Sequence, residues 1–449
     1  MFEYQLSQYA IISQHTYSKD GVFSKLVYQT SIPSLFAIPV PVIEQIQNGS
    51  WQKIETKTLK DLLAHRIITS SSTDERKQVL SSINKSSHSI SHRIFVLMPT
   101  SLCNMECSYC GQSTCPLRYH GNISENVDHR ILTAIMNANV TDVEVRWFGG
   151  EPMMAYQHII ESSARYIAAA RQSRTHYKSI MTSNGSLMTI KRLQELYQRA
   201  ALRMITVTVD GYRDYHNRSR CMRNGRPTYD YIMEWMQKSL AIMEQMPKLT
   251  IAIRVNITTT NACSITHFID DLARRHLNNP HFILQLIPVY NWGHDNTQIQ
   301  LDNTSLDRNM CQWIEQAIAK GIQINILPNT KKDFVCVATN RQAEVIDSRG
   351  FIYSCTEFPL VKPYENMEKL ANIQTLPPNN LRPNSIFDTW RNLIQNQTFP
   401  CGNCPWLPVC GGACPKRWIE GEKPCPPFTK QINSRFDILA RQFGYSLIS

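Results

Sequence analysis

Three cysteines packed into the segment Cys103-Asn104-Met105-Glu106-Cys107-Ser108-Tyr109-Cys110 constrain this chain more than any other feature. The C-x3-C-x2-C spacing puts three thiolates on one loop. Soft sulfur ligands suit iron, and such a loop can hold three irons of a cubane while the fourth iron lacks a protein ligand. A zinc loop is the alternative, but zinc sites usually close with four ligands and use pairs spaced C-x2-C. The nearest histidine downstream is His120.

A second set follows in the carboxyl-terminal part: Cys336, Cys355, Cys401, Cys404, Cys410, Cys414 and Cys425. Its spacing is C-x13-G-x4-C, with Gly350 as the glycine, then C-x2-C-x5-C-x3-C and a final cysteine. A zinc ribbon would want two C-x2-C knuckles, and only Cys401 with Cys404 supplies one. Four further cysteines, Cys115, Cys221, Cys263 and Cys311, have no motif spacing and read as packed core residues.

The chain has 449 residues, 42% hydrophobic and 18% charged, which excludes a disordered, collagen-like or membrane-embedded protein. A chain of that length needs no disulfide staples. The opening Met1-Phe2-Glu3-Tyr4-Gln5-Leu6-Ser7 lacks the basic start and apolar run of a signal peptide, and no stretch approaches about 18 apolar residues, so a cytoplasmic location is expected. In a reducing compartment clustered thiols bind metal or do redox chemistry rather than pair as disulfides. The formal charge of +11 comes from scattered basic residues and reads as a solvated basic surface, with an acidic partner as the secondary idea.

Residues 1–80 read as a small domain: strands near 23–29 and 35–40, a helix near 42–47, and a second helix carrying Leu59, Leu62, Leu63 and Ile67. The polar, Ser-rich stretch within 81–93 reads as a linker. From 94 to 325 short apolar strands (94–98, 143–148, 178–183, 205–209, 249–257, 282–287) alternate with helical stretches (127–138, 157–171, 190–197, 231–243, 265–275). That rhythm predicts an α/β fold with a parallel sheet, barrel-like or doubly wound, whose chemistry sits at the carboxyl ends of the strands. Residues 326–430, crowded with Cys, Gly and Pro, predict a loop-rich domain held by metal, and 431–449 a terminal helix.

On the triplet with Tyr109 at its aromatic position, the chain resembles the radical S-adenosylmethionine (SAM) superfamily. The likeness continues at successive strand ends. Gly149-Gly150-Glu151-Pro152 looks like the motif that binds the amino group of SAM, Ser183-Asn184-Gly185 like the turn that contacts its ribose, and Asp210-Gly211, His216 and Arg220 like the segment whose arginine pairs with its carboxylate, with Arg218 the neighbouring candidate. The resemblance implies a partial six-stranded (β/α) barrel. The seven later cysteines resemble the SPASM domain, which carries auxiliary 4Fe-4S clusters. By that resemblance Cys401, Cys404, Cys410 and Cys425 hold one cluster, and Cys336, Cys355 and Cys414 hold another whose fourth iron lacks a cysteine. Three 4Fe-4S clusters and SAM are the implied cofactors.

The resemblance further implies one-electron reduction from a flavodoxin or ferredoxin, cleavage of SAM to a 5'-deoxyadenosyl radical, and hydrogen abstraction from a peptide. Two substrate classes compete. Sulfatase maturases, which make formylglycine, carry an Asp after the cysteine of G-x4-C; here Thr356 and then Glu357 follow Cys355. The strand-strand-helix-helix pattern of 1–80 resembles the winged-helix-like element that recognises the leader of a ribosomal precursor peptide by strand pairing; its alternative is a structural cap on the barrel. A precursor-peptide maturase making side-chain crosslinks, as in darobactin-type enzymes of antibiotic biosynthesis, is therefore expected, with thioether formation and epimerisation next. Neither a membrane nor a nucleic acid is an expected partner; a basic iron-sulfur or zinc protein that binds nucleic acid is the reading from another class. No residue is assigned as general base, although Glu357, Asp347 and His294 lie in suitable regions.

Overall fold

The structure, a computed structural model, describes residues 3–448 apart from 89, 114–115, 294 and 333. Cys115 and His294 lie outside the described residues. The chain divides into two compact units, 89–324 with 340–388, and 1–88 with 325–339 and 389–449.

In the first unit, β1 (His92–Leu97), β2 (Asp142–Trp147), β3 (His176–Ser183), β4 (Leu202–Thr208), β5 (Thr250–Ile257) and β6 (Phe282–Pro288) lie side by side in chain order, all parallel. The helices α1 (Gly121–Ile135), α2 (Tyr156–Ser173), α3 (Ile190–Arg199), α4 (Tyr229–Ser239) and α5 (Ile265–Arg274) connect them, and α6 (Asn303–Ala319) leads to a short β7 (Gln323–Ile324) beside β6. Strands covered on both faces need apolar side chains throughout, which is why Ile94, Phe95, Val96 and Leu97 run together and are all buried. The helices show the complementary one-sided pattern: α3 buries Leu193 and Leu196, and its first turn is capped by Thr189, whose hydroxyl accepts from the Arg192 N–H at 3.2 Å. This is the parallel α/β arrangement that the strand-helix rhythm predicts, and it agrees with the partial six-stranded barrel that the family resemblance implies.

Residues 340–388, within the stretch expected to be a loop-rich domain, add three short strands to the sheet. β8 (Ala343–Ile346) pairs in parallel with β1, Ala343 opposite Ile94 and Ile346 opposite Leu97, and β9 (Phe351–Tyr353) and β10 (Ala371–Asn372) follow antiparallel. Strands this short carry no readable periodicity, and burial beside β1 decides their conformation.

β8 also carries Glu344, fully buried, whose carboxylate accepts from Arg130 Nε at 2.6 Å and Nη2 at 2.8 Å and from Arg93 Nη2 at 2.9 Å. Burial alone would raise its pKa, but Arg130, Arg93 and Arg382 outweigh it and hold the group below its usual 4.5. A lowered folded-state value means that the stabilisation is complete above pH 4.5 and is lost as pH falls through the lowered value. Arg130→Met, which strips the bidentate partner from a buried charge, should cost about 3–5 kcal/mol. Thermal melts at neutral pH check this; an unchanged melting temperature would show that the pair contributes nothing.

The second unit holds an antiparallel sheet in which Val22–Gln29 pairs with Thr16–Lys19, Ala10–Ile12 and Ser34–Pro39. Helices Val40–Gln47 and Thr56–Ala64 cover it through Val27, Ile38, Ile43, Ile46 and Leu62. Ile67 lies beyond the second helix and leads into the strand Ile68–Ser70, where it still joins that core. The Ser-rich stretch expected to be a linker is helical from Glu75 to His88. Val79, Leu80 and Ile83 give it an apolar stripe against Trp390, Ile394, Cys401 and Leu407, which its polar composition hides. Near the other end, the helix Ile432–Gln442 gives way to a strand, Ser446–Ile448, paired with Thr16–Lys19. No helix among the described residues is long and apolar enough to cross a membrane.

Candidate active site

All the strand-end motifs meet at the carboxyl edge of the first unit's parallel sheet. The triplet loop follows β1, and its segment Met105–Cys107 is stapled antiparallel to Arg220–Met222, with Cys107 opposite Arg220. Arg223 Nε adds a bond to the Cys103 carbonyl at 2.8 Å. The cysteine loop is thus held by the segment that follows β4, so the motifs on the two are positioned together.

Gly149 and Gly150, at the end of β2, adopt φ of +77° and +43°. A Cβ on Gly150 would stand 2.3 Å from the Leu102 carbonyl oxygen, and one on Gly149 2.6 Å from Met98 Cγ. Only glycine permits β2 to lie this close to the run that enters Cys103. The Glu151 N–H donates to that same Leu102 carbonyl at 2.8 Å. Pro152 opens the short turn Pro152–Ala155, where its missing N–H costs no hydrogen bond.

The Glu151 carboxylate is buried and accepts from the Met153 N–H at 2.9 Å, Ser183 Oγ at 2.8 Å and the Asn184 N–H at 2.7 Å. Burial raises its pKa, against the pull of those three donors. It ties the end of β2 to that of β3. Ser183 and Asn184, which the family likeness assigns to ribose, both spend polar atoms on this tie.

Tyr109 links the loop to β4 and β5. Its hydroxyl donates to Asp210 and accepts from Arg220 Nη1 at 2.5 Å and Asn256 Nδ2 at 2.9 Å, which fills a phenol's hydrogen-bonding capacity. The second Asp210 oxygen accepts from the Asn256 N–H at 2.8 Å. Burial raises the Asp210 pKa, with Arg220 the strongest opposing influence. Burial also works against the Arg220 charge, but Cys107, Tyr109 and Asp210 together hold it well above the guanidinium range. Arg220 Nε is buried and has no hydrogen-bond partner among the described residues. Arg218, in contrast, lies over the Tyr215 ring at 5.6 Å.

His216 Nδ1 accepts from the Asp210 N–H at 3.1 Å, so its proton sits on Nε2, 2.9 Å from Thr228 Oγ1, which in turn donates to the Arg220 carbonyl at 2.7 Å. Burial and Arg220 keep this imidazole neutral. His216 is a strut for the Arg220 main chain. Asn256, absent from the sequence-derived set, stands in the β5 run Thr-Ile-Ala-Ile-Arg-Val-Asn-Ile; a lone amide at the carboxyl end of an apolar strand is the signal that identifies it.

Burial raises the Cys103 thiol and pushes Cys107 up to about 12, and Cys103, Cys107 and Cys110 lie near enough for their charges to act on one another. In the second unit burial likewise lifts Cys401 to about 12 and Cys410 to about 11, and Cys404 and Cys425 are close enough to act on Cys401. Cys336 and Cys414 belong to that unit, whereas Cys355, buried after β9, belongs to the first. None of the described cysteines forms a disulfide. Among the described residues no three Cys, His, Asp or Glu side chains converge as ligands of a single metal ion. A cubane carries its irons on separate corners and so takes thiolates that stand farther apart than those around one ion.

Residues 97–272 match the model of the radical SAM superfamily. A serine-type anaerobic sulfatase-maturating enzyme of Bacteroides thetaiotaomicron is 22% identical over 360 residues, covering 72% of this chain and 83% of that one. Among solved structures, native anSMEcpe with bound AdoMet and the Cp18Cys peptide has a TM-score of 0.56 at 17% identity, covering 78% of this chain and 97% of that one, a likeness of fold. Streptococcus suis SuiB bound to precursor peptide SuiA gives a TM-score of 0.46 at 14% identity, covering 94% of this chain and 98% of that one.

A radical SAM domain implies a 4Fe-4S cluster and SAM, and the residues here fit them. Three thiols share one loop, the glycines let the end of β2 pack directly against the run that enters that loop, and an orphaned buried guanidinium nitrogen stands next to Cys107.

Proposed function

We propose that the protein is a radical SAM peptide maturase that joins side chains of a ribosomally made precursor by oxidative crosslinking. The bound cluster and SAM would supply a 5'-deoxyadenosyl radical that removes one substrate hydrogen. Cys103, Cys107 and Cys110 would hold the cluster, Arg220 would meet the SAM carboxylate, and the Gly149-Gly150-Glu151-Pro152 turn would meet its amino end. Cys336, Cys355, Cys401, Cys404, Cys410, Cys414 and Cys425 would hold two auxiliary clusters that accept the second electron, so that crosslinking removes two hydrogens in all.

One observation carries the choice of substrate class. Residues 1–88 contribute a sheet and two helices with an apolar core of their own, built around Val27, Ile38 and Leu62, and the Ser34–Pro39 strand pairs with Val22–Gln29 alone among the described residues. A strand open on its outer side is what an extended leader peptide would pair with. Formylglycine formation is the second reading, favoured by the match to the serine-type sulfatase-maturating enzyme over 83% of its length. Against it stands Thr356, whose hydroxyl donates to Glu357 at 3.2 Å, where the likeness would want an aspartate.

Co-expression with the peptide encoded beside the gene, followed by tandem mass spectrometry, separates these. Crosslinking should remove two hydrogens, suppress fragmentation between the joined residues and leave no aldehyde to react with a hydrazide. A hydrazide-reactive product altered at one Ser or Cys would replace the proposal with formylglycine formation. Cys103→Ala, Cys107→Ala and Cys110→Ala should each abolish SAM cleavage; cleavage retained in any of them refutes the assigned cluster site.

A further inference from the structure

We propose that Asn184 tunes the redox potential of the cluster held by Cys103, Cys107 and Cys110 through an N–H···S hydrogen bond to Cys103. The inference rests on the reading of those cysteines as cluster ligands. Asn184 Nδ2 lies 3.8 Å from Cys103 Sγ and 2.9 Å from Asn104 Oδ1, so each of its two hydrogens has an acceptor. Asn184 Oδ1 accepts from the Ser186 N–H at 2.9 Å and from Ser186 Oγ at 2.7 Å. A main-chain N–H can only donate, which fixes which end of the amide is oxygen and which faces the sulfur. The main chain is held as well, because the Asn184 N–H is bonded to buried Glu151 at 2.7 Å.

The amide therefore has no freedom left: every polar atom is engaged, and the donor at Cys103 is set before any cluster arrives. Hydrogen bonds to cluster sulfurs are one of the means by which a protein sets reduction potential. Their sign follows from charge. One-electron reduction makes the cluster more negative, a donor stabilises the more negative form more strongly, and the potential rises. Asn184 thus eases entry of the electron that a low-potential one-electron donor supplies. It acts through Cys103 as a positioning and tuning residue.

The test is an EPR-monitored redox titration of the anaerobically reconstituted full chain, followed on the reduced 4Fe-4S signal that changes when SAM is added. Asn184→Leu and Asn184→Asp, at iron and sulfide contents equal to wild type, should each lower the midpoint potential. The expected size is about a tenfold drop in the reduced-to-oxidised ratio at fixed potential, ~59 mV for one electron. Asp should fall at least as far as Leu, since it replaces the donor with a negative charge. Midpoints that match wild type in both variants, or rise, overturn the proposal. Should the variants not load, wild-type protein grown with 15N-asparagine decides it: 15N hyperfine coupling to the SAM-free cluster is expected, and its absence overturns the proposal. A wild-type protein with no SAM-responsive signal would instead refute the cluster reading itself.

Discussion

Gly150→Ala should leave the chain folded but unable to load the cluster of the triplet loop, with SAM cleavage reduced at least ~100-fold, the scale on which a displacement of about 1 Å costs catalysis. The added methyl would sit 2.3 Å from the Leu102 carbonyl oxygen, and φ is +43°, where side chains are strained. A backbone carbonyl has no rotamer by which to yield. That carbonyl also holds the Glu151 N–H, so the segment leading to Cys103 must shift, and the first thiol with it. Gly149→Ala should behave in the same way: its methyl would stand 2.6 Å from Met98 Cγ and 2.8 Å from Met98 Cβ, an atom fixed to the main chain, and φ is +77°. Iron and sulfide counts with chromatographic measurement of 5'-deoxyadenosine decide the matter; wild-type iron and turnover in Gly150→Ala would sink the argument.

Arg220→Met should weaken SAM binding to the reconstituted protein roughly 10- to 100-fold, the loss expected when a charged group gives up one hydrogen-bonded ion pair. Asp210 would then be a buried carboxylate with only Tyr109 and Asn256 to hold it, so the variant should also melt earlier. Adding Asp210→Asn separates the two effects. The double variant should recover stability, because no uncompensated charge remains, but not affinity. Arg218→Met should leave both unchanged, since that side chain lies over Tyr215 and takes no part in the Tyr109 and Asp210 network. Calorimetric titration of SAM, with thermal melts alongside, provides both readings. Unchanged affinity in Arg220→Met would remove this residue from the site.

The parts of the site legible in the sequence were those whose chemistry is tied to local spacing. Three thiols in C-x3-C-x2-C, two glycines before a glutamate, and an arginine after the fourth strand need no distant partner to be noticed. What stayed hidden depended on partners remote in the chain. Glu151 is an example: sequence position suggests a carboxylate for a cofactor, while the structure occupies it with the Met153 and Asn184 N–H groups and Ser183. Asn256 and Asn104 went unnoticed because their roles exist only once β5 and the Ser183-Asn184 turn are brought beside the triplet loop. The Ser-rich helix Glu75–His88 was hidden for a related reason, since three apolar residues on one face are outvoted by polar neighbours in any average over the window.

Alone, the sequence determined the strand-helix rhythm of the barrel and the identity of the cysteine-bearing loops, because both follow from near-neighbour chemistry: two-faced burial for the strands, soft sulfur at short spacing for the loops. Tertiary structure decided the rest. It set β8 beside β1, drew the Cys401 to Cys425 segment into one unit with residues 1–88, and turned the Asn184 amide toward Cys103. The physical reason is the same in each case. A four-residue strand or a single amide has too little local preference to choose its place, and only the burial and hydrogen-bond partners brought from elsewhere in the chain do so.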